Sequence, residues 1–323
     1  MAYTSAILIF VLGFTAPASA CVGARPMAMG GTFIAVSDDA NATYWNPAGL
    51  TQVESPEFTY TPTIHNRDEY NYDDFVSLVT PINISKQNWG SLGLSFINTG
   101  YKDSAYDFDE HWYWLSYAKS LLGGLSVGVN LRYQDFDYKI SPGWIVGGVS
   151  GPARSKDHTS AVDLSLLYRT AKFSLGILWQ DLNEPGVELF SEKSKYISNL
   201  RPGIAFRPDD KTVLALDMYD ATGETKNQAG SVAYDLRAGI ERWFDLPEGT
   251  PTWLGNSFAL RAGGYHFNRG NRAYTFGVGI KGPPDPEEKF LKNIEFDYTL
   301  MYWTDTAAGM DEFTHQIGLT FQF

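Results

Sequence analysis

The last eleven residues, 313–323, place Phe313, Ile317, Leu319, Phe321 and Phe323 on one side of an extended chain and Thr314, Gln316, Gly318, Thr320 and Gln322 on the other. A strand that separates lipid from a polar lumen must alternate in this way, because successive side chains point to opposite faces. A soluble sandwich strand alternates too, so one such segment decides little. Repetition along the whole chain carries the argument.

From Glu57 onward, segments of about ten residues alternate between apolar and polar and are separated by Gly, Pro, Asn and Asp. They predict strands near 57–66, 73–82, 89–99, 111–119, 123–137, 158–169, 171–181, 199–207, 211–220, 233–244, 256–267, 271–281, 292–304 and 312–323. In the fifth, Leu125, Val127, Val129, Leu131 and Tyr133 oppose Ser126, Gly128, Asn130, Arg132 and Gln134. The thirteenth sets Ile294, Phe296, Tyr298, Leu300 and Tyr302 against Glu295, Asp297 and Thr299. The expected fold is all-β, a transmembrane antiparallel barrel of about fourteen strands, over residues 57–323. Twelve strands follow instead if 57–66 and 73–82 belong to the segment before them. Connections largely alternate between tight turns (121–124, 169–171, 208–211) and long polar loops (138–157, 182–198, 221–232). Short periplasmic turns and longer outer loops produce that rhythm. The proline-bearing connections 245–255 and 282–291 break it on the periplasmic side.

With 323 residues, a single barrel domain accounts for the length. Aromatic residues make up 15% and charged residues 19%, with Phe and Tyr spread evenly, as interfacial girdles require. No apolar run after the N-terminus reaches the roughly 20 residues of a spanning helix. A net charge of -12 argues against nucleic acid as a partner. Residues 6–14 are apolar and Ala18-Ser19-Ala20 has the form of a cleavage site, so 1–20 are expected to be a signal peptide, although no Lys or Arg precedes the run. Cys21, the single cysteine, rules out an intrachain disulfide. Its position leaves simple cleavage and lipidation both open. Residues 21–56 lack alternation and form a separate small element.

Arg132, Asp163, Asp217, Asp235, Arg237, Glu241, Arg261, Glu295 and Asp297 all fall on inward faces and form a polar lumen set. Such charges solvate and brace the interior or line a path. Trp112 and Trp114 point inward by the same parity, while Tyr113, Leu115 and Tyr117 face lipid. Trp112, Trp114, Arg132, Arg237 and Arg261 are therefore candidates for a lumen pocket, with packing against the N-terminal segment the alternative for the two tryptophans. Gly277-Val-Gly279-Ile-Lys-Gly282 matches a phosphate-loop pattern but sits in a strand that runs into Pro283-Pro284, so it reads as small wall residues. Asp107, Asp109, Glu110 and His111 read as a solvated outer loop, with divalent-cation binding the alternative. None of His65, His111, His158, His266 and His315 lies in a nucleophile motif. Neither an enzyme nor any metal or other cofactor is indicated.

The stretch from Gly23 to Leu50 carries Gly23-Ala-Arg25, Met29-Gly30-Gly31, Asp38-Asp39-Ala40 and Asn46-Pro47-Ala48-Gly49-Leu50. Together these resemble the N-terminus of the FadL and PorV superfamily of outer-membrane barrels, with the opening closest to the PorV branch. The resemblance implies a fourteen-stranded barrel in the outer membrane with residues 21–56 folded inside as a hatch. It implies that Asn46, Pro47, Ala48 and Gly49 act at the gate and that Gly30, Gly31, Asp38 and Asp39 shape the hatch turns. A FadL-like member passes hydrophobic small molecules such as long-chain fatty acids, with membrane lipids and the ligand as partners. A PorV-like member is an adaptor or cargo shuttle that binds secretion-system proteins, and a structural envelope barrel is the third reading.

Overall fold

The computed structural model describes residues 22–65, 70–85, 87–223, 235–247, 249–250, 255–267, 271–282, 291–305 and 310–323. The expected signal peptide and Cys21 lie outside the described residues. Two short helices, α1 (Ala24–Ala28) and α2 (Ala42–Trp45), and a 3-10 turn (Pro47–Gln52) come first. The strands are β1 (Glu57–His65), β2 (Tyr70–Ile84), β3 (Gln87–Lys102), β4 (Tyr106–Ser120), β5 (Leu125–Ile140), β6 (Ile145–Val146), β7 (Val149–Ser150), β8 (Ala153–Arg169) and β9 (Phe173–Gln180). There follow β10 (Gly186–Leu189), β11 (Glu192–Lys195), β12 (Asn199–Phe206), β13 (Thr212–Tyr219), β14 (Asp235–Asp245), β15 (Ser257–Phe267), β16 (Asn271–Lys281), β17 (Asn293–Asp305) and β18 (Met310–Gln322).

Each long strand pairs antiparallel with its neighbours in sequence, and β1 pairs with β18. Among the described residues this closes a barrel of fourteen strands, with β6–β7 and β10–β11 as separate hairpins. Segments 57–66 and 73–82 are thus wall strands, and the twelve-strand alternative falls. Register follows hydrophobicity: Phe58 faces Phe321 and Tyr60 faces Leu319 across the closing seam. Slipping by one residue would turn every apolar side chain into the lumen.

Burial alternates with the sequence. In β5 every second residue from Ser126 to Ile140 is buried, whereas Leu131 and Tyr133 are exposed on the outside. Leu94, Leu115, Leu166, Leu175 and Phe276 extend this apolar outer surface around the barrel. A continuous apolar surface of this extent is stable against lipid and not against water. No helix among the described residues is long and apolar enough to span a membrane, so crossing falls to the strands.

Strand lengths divide the wall. β2 to β5 and β8 have 15 to 17 residues, whereas β9, β12 and β13 have 8. Since about 9 to 11 residues span a bilayer, the tall side projects beyond it. This corrects two expectations. Residues 107–111 lie in β4 and not in a loop, and both ends of 138–157, residues 138–140 and 153–157, continue β5 and β8. The reason is that a strand outside the membrane no longer needs an apolar outer face. There Lys139 lies 3.5 Å from Asp107 and 3.3 Å from Asp109, and Arg154 meets Asp137 at 2.5 Å. Among the described residues no acidic or histidine group is arranged to hold a metal ion. On the inner face of the projection Phe136 and Tyr138 pack with Val187 of β10, so part of the expected loop 182–198 is a hairpin folded against the tall wall.

Candidate functional site in the barrel lumen

Residues 22–53 are almost wholly buried, and α1 touches β15 to β18 while the 3-10 turn touches β2 to β5 and β8. A segment in contact with opposite walls occupies the lumen. Its backbone reaches those walls because the inward positions there are glycine. A Cβ on Gly128 of β5 would stand 2.2 Å from the Ala48 nitrogen, and one on Gly176 of β9 would stand 2.2 Å from the Ile34 carbonyl oxygen. Gly239 of β14 and Gly263 of β15 receive Met29 in the same way, at 2.2 and 2.3 Å. Gly277 lies under Ala28, consistent with its reading as a small wall residue.

Two turns complete this seating. Gly30 and Gly31 both have φ +68, a left-handed conformation that L side chains rarely adopt. The Gly30 amide donates to Thr275 Oγ1 at 3.0 Å on β16. On the opposite side Asn46 is extended before Pro47, and its Oδ1 accepts from the Ala48 amide at 3.1 Å. Asn46 Nδ2 donates to the carbonyls of Ile34 at 2.7 Å and Leu166 at 3.1 Å, and the Ala48 amide also donates to Ser165 Oγ at 2.9 Å. Gly49 is required because a Cβ there would meet the Ser37 carbonyl oxygen at 2.1 Å. All four residues, Asn46 to Gly49, are buried, and their polar contacts go to protein.

An ionic anchor ties the segment to the end of the barrel where β1 begins and β18 ends. Arg25 donates from Nε and Nη2 to Glu241 of β14, both at 2.8 Å, and from Nη1 to Asp38 and Asp39, both at 2.8 Å. Glu241 also accepts from Arg261 Nε at 2.6 Å, and Arg261 continues to Glu295 at 3.2 Å and to Asp297. Glu57 of β1 accepts from the Ala40 amide at 2.6 Å. Burial would lower the basicity of Arg25, but Asp38 and Glu241 outweigh it and hold the guanidinium well above its ordinary value. Burial pushes the Asp39 carboxyl up, against the pull of Arg25.

Toward the other end lies an aromatic layer. Trp112 and Trp114 of β4 are buried with ring centroids 5.7 Å apart, and the Arg132 guanidinium lies 5.8 and 6.0 Å from their centroids. Tyr44 of α2 meets Trp114 edge-on at 5.9 Å and Trp45 at 5.3 Å. Arg237 of β14 stands over Tyr265 at 4.7 Å, Tyr219 at 5.3 Å and Trp45 at 6.0 Å, while Arg201 of β12 stacks on Tyr219 at 3.5 Å. Among the described residues the Nε atoms of Arg132, Arg201 and Arg237 have no hydrogen-bond partner. The layer therefore offers aromatic faces with a few unfilled donors.

Of the residues singled out from sequence, Trp112, Trp114, Arg132 and Arg237 share this layer. Arg261 stands apart in the ionic anchor, where three carboxylates hold it. Asp38 and Asp39 both accept from Arg25, and Asp39 also closes a turn by accepting from the Asn41 amide at 2.8 Å. Sequence reasoning missed Arg25 itself, the Tyr44-Trp45 pair, Arg201, Tyr219 and Tyr265. A signal for Arg25 was present, since it is the only basic residue between Val22 and Pro56 and two aspartates follow it.

Fold and lumen together define an outer-membrane-type barrel of fourteen strands with an internal N-terminal segment. No family model and no curated protein matches the sequence. Among solved structures the chain is similar to the CymD monoaromatic hydrocarbon channel, at TM-score 0.70 and 15% identity over 94% of this chain and 98% of that one. It is also similar to a Pseudomonas aeruginosa FadL homologue, at TM-score 0.63 and 11% identity over 94% and 98%. The P. putida toluene transporter TodX follows, at TM-score 0.60 and 12% identity over 93% and 98%. At these identities the likeness is one of fold.

Proposed function

We propose that this chain is an outer-membrane channel for small hydrophobic molecules, with residues 21–56 as a hatch and 1–20 as an export signal. The observation that carries the reading is the layer of wall aromatics Trp112, Trp114, Tyr219 and Tyr265 gathered around Tyr44 and Trp45 of the buried N-terminal segment. The names of the structural neighbours, a monoaromatic hydrocarbon channel and a toluene transporter, support the same substrate class. An apolar molecule enters at the outer loops, rests against the aromatic faces, and leaves when the hatch shifts from its glycine seats. Aromatic walls favour compact aromatic molecules, since ring contacts add about 0.5 to 1.5 kcal/mol beyond area burial. Long-chain fatty acids are the competing substrate within the same mechanism.

Native mass spectrometry of protein purified gently from its own membrane tests this reading. A stoichiometric apolar molecule supports the channel and reports whether it is aromatic or acyl. A stoichiometric protein partner with no such molecule supports a secretion adaptor instead.

A further inference from the structure

We propose that the outer wall over β13 to β16 binds one net-anionic phospholipid, with an acyl chain in a groove and the phosphate at Arg272 and His266. Two depressions on this wall, of about 760 Å³ and about 630 Å³, share Leu216, Ala238, Gly264 and Tyr274 and so form one groove. It exists because the outward positions Ala238 and Gly264 carry almost no side chain. Leu216 and Tyr274 stand beside them, 58% and 46% exposed. A Cβ on Gly264 would meet the Ala273 carbonyl oxygen at 2.8 Å, so backbone crowding accounts for that residue. Ala238 is exposed and carries no such constraint. An apolar groove on a lipid-facing wall fits an acyl chain.

The charge at its end selects the head. His266 and Arg272 are paired across β15 and β16, both exposed on the outside, at the end away from the start of β1 and the end of β18. Asp217 and Arg237 also border the groove, but their charged groups serve the lumen: Asp217 accepts from the Ile34 amide at 2.9 Å, and Arg237 lies over Tyr265. The Arg272 guanidinium with the His266 imidazole beside it, at the membrane surface above an apolar groove, complements an anionic phosphate with an acyl chain beneath it.

The inference rests on the barrel lying in a membrane, and the test separates the two. The full chain is reconstituted into phosphatidylcholine nanodiscs doped with phosphatidylglycerol, and lipid retained on release is read by native mass spectrometry. The expected result is one phosphatidylglycerol held in preference to phosphatidylcholine. Arg272→Ala should weaken it about fivefold, the weight of one basic residue near an anionic lipid. Ala238→Phe should remove it by filling the groove, and Arg154→Ala on β8, separated from β13 by β12 and β9, should change nothing. Heat-modifiable gel mobility checks that each variant is a folded barrel. Equal retention of the two lipids, unchanged retention in folded Ala238→Phe, or a second copy of the chain covering the groove overturns the lipid site. Displacement of the lipid by toluene would make the groove a substrate path and overturn it as well. A chain that stays out of the nanodiscs overturns the membrane reading itself.

Discussion

Replacing Arg25 with alanine should loosen the N-terminal segment while leaving the barrel closed. Arg25 makes four hydrogen bonds of 2.8 Å to Asp38, Asp39 and Glu241. Removing it leaves these carboxylates facing one another, with Arg261 still beside Glu241. Stripping the partner from a buried ion pair costs about 3 to 5 kcal/mol. The Asp38 and Asp39 side chains keep 23% and 13% of their exposure, so solvent screens part of the repulsion and the lower figure, about 3 kcal/mol, applies. The hydrogen-bonded wall of fourteen strands does not depend on Arg25, so the loss should fall on the seating of residues 22–53. Limited proteolysis of the folded barrel reads this as cleavage within that segment, while heat-modifiable mobility stays that of wild type. The sign of the pH dependence follows from Asp39, whose carboxyl burial already raises and which loses the opposing pull of Arg25. Lowering the pH should therefore favour its protonation, relieve the repulsion and restore protection in the variant. Cleavage at the wild-type rate at every pH would refute the anchor. Loss of the barrel together with the segment would refute the separation of the two.

Gly128→Leu drives a side chain into the Ala48 and Pro47 backbone and should unseat the 3-10 turn, seen as the same new cleavage sites in a barrel of unchanged mobility. Asn46→Ala leaves the buried carbonyl of Ile34 and the part-buried one of Leu166 short of a donor and should cost about 1 to 3 kcal/mol in denaturant unfolding. Leu131→Arg, on the lipid face, should destabilise the barrel by about 2 to 4 kcal/mol in a bilayer. Trp112→Ala and Trp114→Ala should lower uptake of an aromatic hydrocarbon without lowering the amount of folded barrel.

The wall was legible in the sequence wherever both of its faces have a solvent. Ile294 to Tyr302 and Phe173 to Trp179 read correctly as strands because lipid and lumen impose opposite demands on alternate residues. The reading stopped short at Asp107 and Lys139, where the strand runs on into water and its outer face turns charged. The same rule put Trp112, Trp114 and Arg237 inside. It could not separate Arg261 from them, since parity gives a face and not a partner. Gly128, Gly176 and Gly318 were visible as inward glycines. That the first two meet Ala48 and Ile34 is a contact between distant parts of the chain, and only the closed barrel reveals it.

The most direct measurement is uptake of labelled toluene and labelled oleate by a Gram-negative host whose own hydrophobic channels have been removed, with and without this chain in its outer membrane. The account predicts uptake above the empty host, larger for toluene, and altered by Arg25→Ala at an equal level of folded barrel. Folded barrel in the outer membrane with no uptake of either compound would contradict it.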